Sequence, residues 1–223
     1  MFIGHYAVAL AAKKAARRVS LGTLVLSSQF LDLLWPAFLL LGVEHVRIAP
    51  GITAFTPLDF YDYPITHSLA GAFSWSLLLG LLYAAFRRNL RGSIVVALCC
   101  LSHWFLDFLT HRPDLPVGFG NTTLLGLGLW NSVLWTVVVE GTLFVAGVWV
   151  YLRTTATKDR IGTRALWSFI AFLVLIEGMS VFGPAPRDVS SIAIAGNAAW
   201  LFVAWAYWID RHRVVKTQDA KPA

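Results

Sequence analysis

The chain is dominated by long apolar stretches that short polar connections separate. A helix that crosses a lipid bilayer needs about 20 mostly apolar residues, and six stretches of the sequence meet that requirement. They cover residues 20–42, 64–86, 92–110, 130–152, 165–183 and 191–209. The pattern therefore predicts an all-α fold, namely a polytopic membrane protein built as a six-transmembrane-helix bundle.

A shorter apolar segment precedes the first stretch. Residues 1–12 are mostly apolar and are too short to span a bilayer. Two arrangements are open for them: an amphipathic helix on the membrane surface, or a re-entrant half-helix that inserts among the spans. The sequence thus divides into an N-terminal helix (1–18), a membrane domain (19–210) and a basic cytoplasmic tail (211–223).

The charged residues agree with a membrane location and give its direction. Only 13% of the chain is charged, about half the share in soluble domains. Of the 18 Lys and Arg residues, all but Arg47, Arg112 and Arg187 lie before the first stretch, in alternate connections, or after the sixth. Cytoplasmic loops carry the excess of basic residues, so both termini are predicted to be cytoplasmic. The basic residues that give the net charge of +6 then serve to orient the spans in the membrane. We therefore expect the lipid bilayer, not nucleic acid, as a partner.

Ionisable residues inside the apolar stretches mark the candidate chemistry, because such residues are costly at membrane depth. His103, Asp107 and His111 are four residues apart and share one helix face. At 1.5 Å per residue, Asp32, His67 and Asp107 fall within about 7 Å of one another along the bilayer normal, in its outer half. Imidazole nitrogen and carboxylate oxygen are zinc ligands. The spacing therefore predicts a divalent metal, zinc, bound by His103, Asp107, Asp32 and His67.

The same residues have simpler interpretations. A histidine at a helix end is commonly interfacial, and a carboxyl group in a span can hold helices together or line an ion pathway. Besides a metal-dependent hydrolase, the sequence is therefore compatible with a small transporter or ion-coupled permease and with a non-catalytic membrane interaction protein. The positions concerned are His45, His111 and His212 for the first interpretation, and Asp32, Glu140 and Glu177 for the second.

Several short motifs resemble a family of membrane-bound metal-dependent hydrolases. The resemblance covers residues 1–115 and the general six-span plan, and residues 128–132 with Glu140 are similar to one branch. Members are bacterial inner-membrane proteins, distantly similar to zinc-dependent phospholipase C, and the founding group is described as LexA-regulated. The motifs are Gly4-His5, Asp32 late in its stretch, Thr66-His67-Ser68, and Ser102-His103 followed by Asp107.

The resemblance implies a zinc-type hydrolase in the inner membrane that acts on an ester or phosphoester of a lipid or membrane-proximal substrate. It implies the metal ligands His5, Asp32, His67, His103 and Asp107.

For such a reaction, Asp32 or Glu140 is the expected general base. Two departures from the family pattern stand out. Gln29 occupies a position that is often Asp, which removes one carboxylate of a two-metal site, and residues 62–65 lack the His-Arg pair that often precedes Thr-His-Ser.

Overall fold

The fold is known from a computed structural model that describes residues 1–120 and 123–216. The described chain is mostly helical, and its strands form three separate two-stranded sheets. In the first half the elements are α1 (Ile3–Ala15), α2 (Leu21–Ser28), α3 (Phe30–Leu40), β1 (His45–Ile48), β2 (Leu58–Asp62), α4 (Pro64–His67), α5 (Leu69–Arg87) and α6 (Leu90–Thr110). In the second half they are β3 (Leu115–Pro116), β4 (Leu124–Leu125), a 3₁₀ turn (Leu129–Asn131), α7 (Val133–Thr154), β5 (Thr155–Thr157), α8 (Arg160–Phe182), α9 (Val189–Asn197), α10 (Trp200–Arg211) and β6 (Arg213–Val215).

The long helices give the chain the character of a polytopic integral membrane protein. Five helical segments are long and apolar enough to cross a membrane: α5, α6, α7, α8 and the stretch Val189–Arg211 that joins α9 to α10. The count becomes six if the bent pair α2 and α3 is one span. Large apolar side chains on these helices point outward, such as Phe86 at 81% and Phe182 at 87% exposure. Such a surface suits contact with lipid rather than water.

The first apolar stretch, residues 20–42, is two helices. The break lies at Gln29, where α2 and α3 meet at 55°, and not at the proline of the stretch, Pro36. Ser27 donates its hydroxyl proton to Val96 O, and Ser28 donates to Val25 O. Serine pairs that bond to the backbone bend helices, and Pro36 remains inside α3.

Two other predicted stretches are also divided. The second is interrupted at Ser68, whose hydroxyl accepts a hydrogen bond from Gly71 N and so begins α5 as a new helix. The sixth is interrupted between α9 and α10. The predicted basic tail begins with the last residue of α10, its residues Arg213–Val215 form β6, which pairs antiparallel with β5, and residues 217–223 lie outside the described part of the chain.

Helix α1 lies in the interior of the bundle, where it packs against α2, α6, α7 and α8. Tyr6, Ala9 and Leu10 have no exposed surface. At Gly147 of α7 a methyl group would lie 2.5 Å from Ala7 O, so the two backbones touch. At the other end, Lys13 Nζ donates to Val19 O at 2.8 Å and pairs with Asp210 at 2.9 Å. Helix α1 is therefore enclosed by the other helices of the bundle, and its insertion into a membrane stays a prediction.

The hairpin of β1 and β2 brings two distant parts of the chain together beside α4. Its strands pair antiparallel, with His45 opposite Asp62. Asp59 in β2 accepts hydrogen bonds from Arg47 at 2.5 Å and from Arg112, which ties the hairpin to the segment after α6. As a result Glu44, just before β1, comes to lie against α4.

Candidate metal centre

Two imidazoles and two carboxylates from three helices meet in one ring. His67 comes from α4, His103 and Asp107 from α6, and Asp32 from α3. His67 Nε2 lies 3.4 Å from Asp32 Oδ1 and 3.9 Å from Asp107 Oδ2. His103 Nε2 lies 3.6 Å from Asp32 Oδ1 and 3.1 Å from Asp107 Oδ2. We call these four residues the His–Asp ring.

These spacings suit a single divalent ion. Zinc bonds to nitrogen and oxygen at about 2.0–2.2 Å, so neighbouring ligand atoms of a tetrahedral site lie about 3.3 Å apart. The four nitrogen–oxygen distances of the His–Asp ring scatter around that value. Two groups of three have ligand atoms that all lie within 4.8 Å of one another: Asp32 with His67 and His103, and His5 with His103 and Asp107.

The break between α2 and α3 fixes the tautomer of His103. Nδ1 of His103 lies 2.8 Å from the Ser28 carbonyl oxygen, which can only accept, so Nδ1 carries a proton. If the imidazole of His103 is neutral, its Nε2 then has a lone pair. It has no hydrogen-bond partner among the described residues, although Asp107 Oδ2 is 3.1 Å away. Either a proton on Nε2 or a metal ion between this nitrogen and the carboxylates would compensate the negative charge in this buried place.

His67 is held in the same tautomer by a side-chain relay. Its Nδ1 lies 2.7 Å from Thr66 Oγ1, and that hydroxyl donates its own proton to Glu44 Oε2 at 2.6 Å. The hydroxyl oxygen can therefore only accept from Nδ1–H. Glu44 also accepts from Thr66 N at 2.8 Å and is 1% exposed. Such support of the second imidazole nitrogen is typical of histidines that ligate metals.

His5 stacks on the ring from α1. Its imidazole lies parallel to that of His103, with centroids 3.6 Å apart. Its Nε2 lies 3.1 Å from Asp107 Oδ1, and the amino group of Met1 lies 2.6 Å from the same oxygen. His5 therefore touches the carboxylate whose other oxygen belongs to the ring, and its part as a metal ligand stays a prediction.

Glu140, the other candidate base, has a different partner. Its Oε2 accepts from Phe2 N at 2.9 Å and from Gly4 N at 3.5 Å, at the amino end of α1. Carboxylates are favourable there because the first amides of a helix lack partners and the helix dipole is positive. This placement indicates that Glu140 holds α1 in position and leaves Asp32 as the candidate base beside the imidazoles.

His111 does not continue the stripe of His103 and Asp107. Helix α6 ends at Thr110, and His111 adopts an extended backbone conformation. Its Nδ1 lies 2.9 Å from Asp114 Oδ1, and Tyr63 donates a hydrogen bond to the same carboxylate at 3.2 Å. Burial lowers the pKa of His111, and burial together with Asp114 raises the pKa of Tyr63 well above its usual value.

A cavity of about 190 Å³ opens onto the His–Asp ring. Asp32, His67 and Asp107 form its floor, and Asp32 is the most accessible ring carboxylate, with 35% of its side chain exposed against 2% for Asp107. Most other lining residues are aromatic or polar: Phe2, Trp35, Phe55, Phe60, His111, Trp130, Glu177 and Ser180. A small group can therefore reach the ring through this cavity.

Three polar residues near the ring were missed by the sequence reasoning or given no role there. Ser28 contributes its backbone carbonyl, and a backbone group cannot be recognised from the residue type. Glu44 lies in a connection between helices, where its depth cannot be calculated from helical rise. Glu177 lines the cavity and is 7% exposed, with neither oxygen bonded to a described residue. Its place in an apolar stretch was the one signal that could have suggested a site.

Comparison of the chain with protein-family models, with curated proteins and with solved structures gave no match.

Proposed function

We propose that this protein is a zinc-type, divalent-metal-dependent hydrolase of the membrane-bound family that its motifs resemble. It acts on an ester or phosphoester of a lipid or membrane-proximal molecule. The observation that carries the proposal is the His–Asp ring itself, in which Nε2 of His103 lies 3.1 Å from Asp107 and 3.6 Å from Asp32 at a buried place.

The positions of the residues indicate which of them would bind the metal ion and which would act as general base. His67, His103 and Asp107 would hold the ion, because the Ser28 carbonyl accepts from Nδ1 of His103 and leaves Nε2 to ligate. When bound, a divalent cation would supply polarisation of the scissile group and a lowered pKa of water. Asp32, the accessible carboxylate, accepts the proton of the attacking water as general base.

The proposed topology places the substrate as well. With α2 and α3 as one broken span, the chain has six spans, and the basic ends of α1 and α10 face the cytoplasm of a bacterial cell. The cavity then opens in the outer half of the inner membrane, where the ends of α4 and α6 meet. A substrate would enter from the outer leaflet or the outer compartment, past Trp35 and Trp130.

Metal analysis of the purified protein tests this proposal. We expect about one zinc per chain, lost in His103→Ala and in Asp107→Asn while the variants stay in the membrane, because each removes one ligand. Asp188→Asn is the matched control, since Asp188 is exposed and caps α9 far along the chain. Full metal occupancy in both ring variants would contradict the site. Hydrolysis of ester or phosphodiester substrates that a chelator abolishes and zinc restores tests the reaction itself.

One observation favours a second candidate, a small transporter or ion-coupled permease. Transporter sites lie where broken helices expose backbone carbonyls at mid-membrane, and the break at Gln29 exposes the Ser28 carbonyl in that way. A carrier does not need to retain zinc through purification. A metal-free wild-type protein that moves ions across vesicle membranes would select this candidate.

A further inference from the structure

A second polar feature lies at the opposite end of the bundle from the His–Asp ring. It is a cleft of about 540 Å³ between the end of α1 and the start of α6, and Asn89 and Gly92 line its α6 side. Gly92 and Asp107 are 15 residues apart on α6, so the cleft lies about 22 Å from the ring. We call it the basic cleft because its charged lining residues are Lys14, Arg17, Arg18 and Arg91.

The cations of the basic cleft lack acidic partners. Within residues 1–120 and 123–216, Lys14, Arg18 and Arg91 form no hydrogen bond or ion pair through their side chains, and Arg17 reaches only Lys216 O at 3.4 Å. Other basic residues at the same end are engaged. Lys13 pairs with Asp210, and Lys158 Nζ donates to Arg211 O at 2.8 Å. The basic cleft therefore concentrates uncompensated positive charge.

An apolar cleft adjoins the basic one. It measures about 670 Å³ and lies among α2, α5, α6 and α10. Tyr83 lines it, and a methyl group at Gly92 of the basic cleft would lie 2.7 Å from the Tyr83 ring, so the two clefts share a wall. The apolar side chains of the second cleft are Leu26, Leu79, Leu82, Phe86 and Val96.

We propose that the two clefts bind one phospholipid with an anionic headgroup. The basic cleft takes the headgroup, and the apolar cleft takes an acyl chain. Clustered Lys and Arg beside a membrane span attract anionic lipids, and only a lipid satisfies both clefts at once. A soluble phosphate compound has no acyl chain that could bind in the apolar cleft. This binding does not depend on the proposed hydrolase activity.

Lipid retention measured by native mass spectrometry tests the proposal. The whole protein is released from nanodiscs of phosphatidylcholine that contain a minor share of phosphatidylglycerol. We expect one retained phosphatidylglycerol on the wild type. Each removed charge weakens the attraction roughly 5-fold, so Arg18→Gln with Arg91→Gln lowers the affinity about 25-fold.

Arg160→Gln with Arg164→Gln is the matched control, because these two exposed arginines begin α8 at the same end but outside the clefts. We expect this control variant to retain phosphatidylglycerol as the wild type does. Equal loss in both double variants would reduce the effect to overall charge and overturn the proposal. Leu82→Trp, which fills the apolar cleft, must also weaken retention. Displacement of the lipid by glycerol phosphate alone would show a soluble-anion site and would overturn the proposal too.

Discussion

The second nitrogen of each ring histidine determines what the first can bind. His103 is oriented by a carbonyl that a helix break exposes, and His67 by a hydroxyl that is itself fixed by Glu44. In both cases a proton is held on Nδ1, and Nε2 is directed at the carboxylates. Loss of such a support typically lowers metal affinity 10–100-fold even though every ligand remains.

Thr66→Val tests the relay to His67. The change keeps the shape of the side chain but removes the hydroxyl that accepts from His67 Nδ1 and donates to Glu44. We expect zinc affinity to fall roughly 10–100-fold, measured by competition with a chelator. Thr66→Ser retains the hydroxyl and is expected to restore most of the affinity. The exposed Thr142 on α7 offers the control Thr142→Val, and a similar loss there would argue against the relay.

Among the elements, α1 connects the site to the rest of the bundle. Glu140 of α7 holds its amino end through two amides, Gly147 allows its backbone to approach, and Lys13 fixes its carboxyl end to Asp210. These three contacts help to hold α1 where His5 reaches Asp107. The seating of α1 is therefore a condition for the His5 contact.

Gly147→Ala tests this seating. A methyl group there would lie 2.5 Å from Ala7 O, and such overpacking costs about 1–3 kcal/mol of stability. We expect a lower unfolding temperature in detergent and faster loss of metal to a chelator. Gly141→Ala on the same helix meets nothing within 4 Å, and it is expected to be neutral or to stabilise by up to about 1 kcal/mol, as alanine favours helix. Equal behaviour of the two variants would contradict the close approach of α1.

The elements also show where pattern reasoning holds and where it does not. Apolar length identifies the spans, because the cost of an unpaired backbone in lipid enforces helix. It does not locate breaks, since Pro36 is accommodated in α3 while the serine pair before Gln29 bends the chain. The four-residue spacing of His103, Asp107 and His111 predicted that all three share one helix face, but His111 lies one residue past the end of α6.

At the scale of the whole molecule, the direction of the chain across the membrane follows from its basic residues. We expect a reporter fusion after Lys216 to report the cytoplasm, and a fusion at the exposed Gly51 to report the outer side. The reason is the concentration of Lys and Arg in alternate connections. An outer signal after Lys216 would mean an odd number of spans and would remove α2 with α3, or α9 with α10, from the count.

The meeting of Asp32, His67 and Asp107 could be predicted from the sequence because depth depends only on helical rise and span boundaries. The contacts of Glu44 and Ser28 could not, because they depend on the hairpin of β1 and β2 and on the angle of a helix break. Glu177 was visible as a buried charge, but its position in the cavity depends on helix packing. The use of the ring residues as metal ligands stays a prediction.

The buried position of α1 has a consequence for synthesis on the ribosome. His5 is made 102 residues before Asp107, which at about 5–20 residues per second is a wait of roughly 5–20 s. All four members of the His–Asp ring have been translated before Gly147, against which α1 packs, leaves the ribosome. Because α7 is the helix that α1 contacts most, the contact of His5 with Asp107 is expected to become secure only after α7 has been made.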